Sequence, residues 1–127
     1  MDHKILIISS DTSLLTSTKQ FLVTQNYQIL TFMDGIDAMV GVVNHRPNLI
    51  LIDTSLPRLN AHQFCYLVKR NIEFRSIPVI ILSHTNGLAE RAKGHAVGSI
   101  YHLVLPINNQ ELIMVIKRFM LCDGNDK

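Results

Sequence analysis

The stretch ILIISSDTS, residues 5–13, is an apolar run that ends in small hydroxyl side chains and one carboxylate. Its hydroxyl groups could together hold a phosphate group, whereas Asp11 could hold a metal ion. A simpler interpretation needs no ligand: the run is a buried strand, and Asp11 or Thr12 caps the helix after it. The three alternatives differ in what the rest of the fold places beside this stretch.

The composition indicates one folded domain that lies in the cytoplasm. The chain has 127 residues, of which 47% are hydrophobic and 17% charged. Disordered chains contain fewer hydrophobic and more charged residues than this, so the composition argues against disorder. We place the domain at residues 1–122 and a flexible tail at residues 123–127. Cys65 and Cys122 lie far apart in the sequence and are expected to be reduced thiols. No signal peptide or membrane-spanning run is evident.

The charge pattern gives no reason to expect direct nucleic-acid binding. The formal net charge is +2, and the basic residues are scattered along the chain rather than grouped in a stripe. We therefore expect neither nucleic acid nor a membrane as a partner.

Apolar runs alternate with helical patterns five times along the chain. The patterns predict strands at residues 4–8, 28–32, 49–52, 77–83 and 100–105, and helices at residues 11–25, 36–45, 61–70, 88–97 and 109–121. Continuous rather than alternating apolar strands indicate burial on both faces. The predicted fold is therefore α/β, a doubly wound, five-stranded parallel sheet of (βα)5, flavodoxin-like topology.

In a doubly wound sheet, ligands bind beyond the carboxyl ends of the strands. The polar residues that follow the apolar runs are therefore the candidate site: Ser9, Ser10, Asp11, Asp53, Ser83 and His84, with Leu105 and Pro106 after the last strand.

These residues carry a family resemblance. The block QNYQILTFMDGIDAMVGVVNHRPNLILIDTSLP resembles the receiver domain of bacterial two-component response regulators. In that family a strand that ends in Asp, with Pro four residues later, carries the phosphoryl acceptor, and Asp53 and Pro57 match. Ser83 matches the hydroxyl that ends the fourth strand. Gly98 and Pro106 match a Gly before the fifth strand and a Pro after it that follows a cis peptide.

The chain departs from the family where charge matters. The family ends its first strand with two adjacent carboxylates, and the alignment puts Ser9 and Ser10 there, with Asp11 one residue late. It places a Lys before the fifth-strand Pro, and here that position is Leu105. Mg²⁺ binding, implied by the resemblance at Asp53, Asp11 and Ser55, should therefore be weak, and phosphotransfer should be weak as well.

Several residues keep two interpretations. Asp53 is a phosphoryl acceptor or a carboxylate that only holds the shape of the site, and Ser83 is a switch hydroxyl or an ordinary strand end. Arg58 replaces the missing cation or is a solvated loop residue. His102 lies where the family has an aromatic residue that moves between buried and exposed states, although a surface strand residue is the simpler interpretation.

Two interpretations of function follow. In the first, the chain is an atypical receiver in two-component phosphorelay signalling that works mainly by protein–protein interaction, with a histidine kinase or another signalling protein as partner. Met114 and Leu121, on the outer side of the last helix, are its interface candidates and could form a homodimer. In the second, the chain is a working phosphoacceptor modified at Asp53, at most autophosphorylating and otherwise not an enzyme. A flavodoxin-like FMN binder is a remote third alternative, because the first loop has no Gly.

Overall fold

The structure is a computed structural model that describes residues 3–85 and 87–124, with side chains described to residue 120. Strands and helices alternate without exception along this part of the chain. The elements are β1 (Lys4–Ile8), α1 (Thr12–Thr24), β2 (Gln28–Phe32), α2 (Gly35–His45), β3 (Leu49–Asp53), α3 (Ala61–Arg70), β4 (Val79–Ser83), α4 (Leu88–Ala96), β5 (Tyr101–Val104) and α5 (Asn109–Gly124).

The strands form one parallel sheet in the order β2-β1-β3-β4-β5. This confirms the predicted doubly wound fold. From β1 the chain first moves outward to the edge strand β2, then crosses back to β3 on the other side of β1 and continues to β5. The switch point, where such sheets bind ligands, therefore lies between the ends of β1 and β3.

The sheet is buried on both faces, as continuous apolar strands predict. Alternate strand residues point to opposite sides, so each strand contributes to two cores. Ile5, Ile7, Leu49 and Leu51 belong to the core shared with α1 and α5. A second core, shared with α2 and α3, takes strand residues that point to the other face, such as Leu6 and Ile52, together with Phe64 and Cys65. Each fully buried side chain of this size stabilises the fold by about 1.5–3 kcal/mol.

The predicted element boundaries hold to within two residues, except at the end of the chain. β4 begins at Val79 rather than residue 77, because the segment before it runs through Pro78. α5 continues to Gly124, three residues past the predicted end, and so includes two residues assigned to the tail. Residues 125–127 lie outside the described part, so the proposed tail keeps the status of a prediction.

Side-chain caps fix where α1 and α5 begin. Asp11 accepts hydrogen bonds from the backbone N–H groups of Ser13 and Leu14, which confirms it as the cap of α1. Asn108 accepts the N–H groups of residues 110 and 111 at the start of α5. Each cap satisfies backbone donors that have no partner within the helix. Within residues 3–85 and 87–124, no helix is long and apolar enough to cross a membrane.

Candidate functional site

The end of β3 places Asp53 at the switch point of the sheet. Ile8 pairs with Ile52, so Ser9 and Asp53 leave neighbouring strands at the same level. The segments on both sides are held by backbone hydrogen bonds, from Ser9 N–H to the Phe32 carbonyl at 3.0 Å and from Thr54 N–H to the Leu82 carbonyl at 3.0 Å. These backbone hydrogen bonds thus fix the Cα positions of Ser9 and Asp53.

Ser9 and Asp53 are in direct contact. The Ser9 hydroxyl donates to Oδ2 of Asp53 at 2.7 Å, and the other carboxylate oxygen, Oδ1, accepts the N–H of Ser55 at 3.1 Å. Ser9 is fully buried and Asp53 is 3% exposed. Ser9 also accepts the N–H of Asp11 at 3.0 Å. The buried carboxylate is therefore solvated by a hydroxyl and a backbone amide, both neutral donors.

Ser10 reaches a different oxygen of the same loop. Its hydroxyl donates to the backbone carbonyl of Ser55 at 2.8 Å. The two serines at the family's carboxylate positions therefore bond to the last residue of β3 and to the loop that follows it. Together Ser9, Ser10, Asp53 and Ser55 form what we call the Asp53 site.

The donors of the Asp53 site do not make the carboxylate-rich set that Mg²⁺ prefers. Asp53 supplies one carboxylate, Ser55 a carbonyl, and Ser9 and Ser10 hydroxyls whose protons already point at those oxygens. Asp11 uses Oδ1 to cap α1. In the described part of the chain, no three His, Cys, Asp or Glu side chains lie close enough to share a metal ion.

The cap also argues against a phosphate cradle at the first loop. The N–H groups of Ser13 and Leu14, which an anion at the start of α1 would use, already donate to the Asp11 carboxylate. The hydroxyls of Ser9 and Ser10 are engaged with the β3 loop. This arrangement favours the strand-end and helix-cap interpretation of the first loop.

Arg58 pairs with acidic groups at the start of α2 instead of reaching Asp53, and its side chain is 56% exposed, as the solvated-loop interpretation predicts. Its guanidinium donates to Asp34 at 2.8 Å and lies 3.6 Å from the carboxylate of Asp37. The Asp37 backbone N–H and the Arg58 guanidinium lower the pKa of Asp34, and Asp34 raises the pKa of Arg58. The arginine therefore ties the β3–α3 loop to the start of α2.

An apolar side chain stands where the family has its lysine. Leu105 is 7% exposed and packs in the core shared with α1 and α5. The peptide between Leu105 and Pro106 is cis, as the resemblance implies, and Gly98 has a left-handed φ of 99°. Leu105, Pro106, Asp11 and His84 line a cleft of about 330 Å³ beside the end of β5.

Ser83 and His102 are linked through Thr85, a residue that the sequence patterns did not single out. The Ser83 hydroxyl lies 3.0 Å from the Thr85 hydroxyl and accepts the Thr85 N–H at 3.1 Å. Nε2 of His102 lies 3.1 Å from the Thr85 carbonyl, which can only accept, so that nitrogen carries the proton. Two hydroxyls two residues apart after a strand are the signal that could have pointed to Thr85.

The interpretation of His102 as a surface strand residue is wrong, because its side chain is only 8% exposed. The β4–α4 loop covers it through the Thr85 contact, which strand alternation alone does not reveal. Nδ1 of His102 is buried without a hydrogen-bond partner, as is Nε2 of His62 on α3. Burial lowers the pKa of His62 below its usual value of 6.5.

The two interface candidates differ in what the structure describes. Met114 is 65% exposed, while Leu112 and Ile116 on the opposite side of α5 are fully buried, as predicted. Leu121 lies beyond the last described side chain, so its orientation is not given.

Comparison with known proteins decides the family. The model of the response regulator receiver domain matches residues 5–117. The chain belongs to this family. The protein PilG of Pseudomonas aeruginosa is 36% identical over 114 residues, which cover 90% of this chain and 84% of PilG. The probable transcriptional regulator ycf29 of Pyropia yezoensis is 24% identical, and the match covers 97% of this chain but 55% of that protein.

Solved receiver structures share the fold. The CheY-like receiver domain protein of Methanospirillum hungatei gives a TM-score of 0.91 at 21% identity, with all of both chains covered. The chemotaxis protein CheY4 of Vibrio cholerae gives 0.89 at 23% identity and covers 94% of this chain and 99% of its own. The receiver domain of sensor histidine kinase PA1611 from Pseudomonas aeruginosa gives 0.86 at 22% identity and covers 94% and 98%. Its active site cleft coordinates a magnesium ion.

Family membership makes the chain a response-regulator receiver domain of two-component signalling. Receiver domains are signalling modules rather than enzymes, and histidine kinases are their partners. The family bears out the expected fold and class of function, while the chemistry at Asp53 depends on this chain's own residues.

Proposed function

We propose that this receiver signals mainly by binding a protein partner, with phosphorylation of Asp53 too weak to be needed for signalling. The observation that carries the proposal is the buried carboxylate of Asp53 with a serine hydroxyl and a backbone amide as its partners. The carboxylates that would hold a metal ion and the lysine that would neutralise phosphoryl charge are replaced by Ser9, Ser10 and Leu105.

The size of the chemical loss supports this proposal. Removing one well-placed electrostatic group from a transition state costs about 3 kcal/mol, or roughly a hundredfold in rate. The exchange of two carboxylates for Ser9 and Ser10 removes metal ligands, and Leu105 in place of Lys removes the counter-charge for the phosphoryl group. We expect weak Mg²⁺ binding, with Asp53, Asp11 and Ser55 as the remaining oxygen donors, and very slow transfer to Asp53.

The outer side of α5 is our proposed contact surface. Met114 is 65% exposed, and an apolar side chain of this size in solvent is typical of a surface that a partner covers. The partner we propose is a histidine kinase, another signalling protein or a second copy of the chain, in the cytoplasm, with neither nucleic acid nor a membrane bound directly. Leu121 stays a candidate on the same helix.

A working phosphoacceptor is the second candidate function. Two observations favour it: Asp53 keeps its place at the end of β3, and Ser83 ends the neighbouring strand, with Val104 paired beside it. In this alternative Asp53 would receive a phosphoryl group, and Ser83 would change its partner from Thr85 to a phosphoryl oxygen.

Complementation separates the two functions. A strain that lacks the gene receives the wild-type chain or the variant Asp53→Asn, Met114→Lys or Ile72→Lys, and its deletion phenotype is scored. Ile72 is 75% exposed on the loop after α3 and serves as the control for adding charge at an exposed apolar residue. We expect Asp53→Asn and Ile72→Lys to restore the phenotype and Met114→Lys to fail. Loss of function in a folded Asp53→Asn chain would support the phosphoacceptor instead.

A further inference from the structure

Two hydroxyl groups join the end of β1 to the loop after β3. Ser9 donates to the Asp53 carboxylate at 2.7 Å, and Ser10 donates to the Ser55 carbonyl at 2.8 Å. Both acceptors belong to the oxygen set that the family resemblance implies for a metal ion. Both donors stand where the family has carboxylates. The same two segments that a cation would bridge are therefore already bridged by protein groups.

The exchange of carboxylate for hydroxyl reverses the hydrogen-bonding character of these positions. An ionised carboxylate only accepts, so a pair of carboxylates facing Asp53 and a carbonyl needs a cation between them. A serine hydroxyl donates, and it can contact those oxygens directly. Ser9 is fully buried and Asp53 is 3% exposed, so their hydrogen bond is shielded from water.

We propose that the hydroxyls of Ser9 and Ser10 take the place of the bridging cation and hold the Asp53 site closed without metal. Asp53 is then a structural carboxylate: it accepts Ser9 through one oxygen and Ser55 N–H through the other. This inference rests on the proposed function and deepens it. A carboxylate held on both oxygens keeps the loop after β3 in one arrangement, so the site needs neither metal nor phosphorylation to be ordered.

The burial of the carboxylate makes its donors consequential. A buried charged group whose hydrogen-bond donor is removed keeps its desolvation cost and loses the compensating contact. Ser9 is therefore expected to matter more for stability than Ser10, whose bond to Ser55 lies at the exposed edge of the site.

Thermal unfolding, followed by far-ultraviolet circular dichroism, tests the proposal on the whole chain with and without MgCl₂. The variants are Ser9→Ala, Ser10→Ala and the double variant Ser9→Asp with Ser10→Asp. Ser17→Ala is the matched control, since the Ser17 hydroxyl is exposed and bonds only to carbonyls of its own helix. Isothermal titration calorimetry with MgCl₂ measures metal binding directly.

We expect MgCl₂ to leave the wild-type Tm unchanged and to give a binding heat too weak to saturate in the titration. Ser9→Ala should lower the Tm by about 5 °C, with a smaller loss for Ser10→Ala and almost none for Ser17→Ala. The double aspartate variant should be less stable without metal and should gain stability and a binding isotherm with MgCl₂. A wild-type Tm that rises with MgCl₂, or a Ser9→Ala chain as stable as Ser17→Ala, would overturn the proposal even if the double variant does not fold.

This outcome is separable from that of the proposed function. Saturable magnesium binding by the wild-type chain, together with normal complementation by Asp53→Asn, would rule out the proposal that the Ser9 and Ser10 hydroxyls replace the cation. It would leave the proposed function, signalling through a bound protein partner, in place. Full complementation by Met114→Lys, with no response to magnesium, would do the reverse, because the proposed contact surface would be lost while the Ser9 and Ser10 hydrogen bonds would stand.

Discussion

Two neutral donors, the Ser9 hydroxyl and the Ser55 backbone N–H, contact the buried carboxylate of Asp53. Asp53, Ser83 and Pro106 lie at the strand ends where the sequence places them. Their hydrogen-bond partners could not be predicted, since a serine hydroxyl rotates to whichever acceptor the packed fold brings near. Arg58 illustrates the same limit: it contacts Asp34, 24 residues earlier, because the start of α2 packs beside its loop.

Two roles proposed for Asp11, helix cap and metal ligand, predict different effects of substitution. Asp11→Ala should lower the free energy of unfolding by about 1 kcal/mol, because two N–H groups of α1 lose their acceptor. Asp11→Asn should stay close to wild type, since asparagine caps as well as aspartate. Urea unfolding of the three chains measures this. Equal losses for both variants would show that the negative charge, and not the cap, is what matters.

Cys65 should be chemically inert in the folded protein. It is fully buried, and burial raises its pKa to about 11, with Lys69 lowering it by a smaller amount. Only the thiolate is nucleophilic, so alkylation at neutral pH needs local or global unfolding. In a Cys122→Ser background, iodoacetamide should label Cys65 slowly in buffer and quickly in denaturant, as read by mass spectrometry. Rapid labelling in buffer would contradict this core position.

At the scale of elements, alternation of apolar runs and helices was enough to predict the order and type of all ten elements. The reason is physical: a parallel strand buried on both faces is continuously apolar, and its crossover helix carries a 3.6-residue period. Contacts between elements were harder to predict. The burial of His102 depends on the β4–α4 loop lying over β5. The close approach of Gly35 to Leu59 depends in the same way on the β3–α3 loop.

Gly35 tests the packing of α2 on that loop. A Cβ at this position would collide with the carbonyl oxygen of Leu59 and come within 2.7 Å of the Leu59 Cβ. Gly35→Ala should therefore destabilise the fold by about 1–3 kcal/mol. Gly87→Ala is the control, because nothing lies within 4 Å of a Cβ there. Denaturant unfolding compares the two, and equal stabilities would refute the close approach of helix and loop.

His62 on α3 should make stability sensitive to pH. Burial lowers its pKa most; Lys93 and His102 lower it further, and Glu90 raises it in part. Because the folded pKa lies below the unfolded value of 6.5, the unfolded chain binds the proton more tightly. The stabilisation is complete above pH 6.5 and is lost as the pH falls below it. His62→Gln should reduce this loss relative to wild type, whereas His45→Gln, at an exposed position, should not. If the stability of His62→Gln falls with decreasing pH as much as that of wild type, His62 is not the source of the pH dependence.

At the scale of the whole molecule, the chain keeps the receiver fold, and its central site carries Ser9, Ser10 and Leu105 where the family resemblance implies charged residues. Two apolar cores cover the sheet, and the strand order places the switch point between β1 and β3. We propose that the signal passes to a partner protein through the exposed side of α5, where Met114 lies.

Met114→Lys should leave the fold intact and weaken self-association or partner binding. A side chain that is 65% exposed contributes little to the core, so the free energy of unfolding should change by less than about 0.5 kcal/mol. Analytical ultracentrifugation of wild type, Met114→Lys and the control Ile72→Lys tests the homodimer directly. Identical sedimentation of all three as monomers would exclude the second copy as occupant and leave a different signalling protein as the partner.

The most direct test of the central claim is the intact mass of the chain after incubation with acetyl phosphate and MgCl₂, beside Asp53→Asn treated in the same way. We predict an unmodified mass for both chains, with circular dichroism showing that both are folded. A phosphoryl adduct on the wild-type chain that is absent from Asp53→Asn would contradict the account, since it would show that Asp53 still accepts a phosphoryl group.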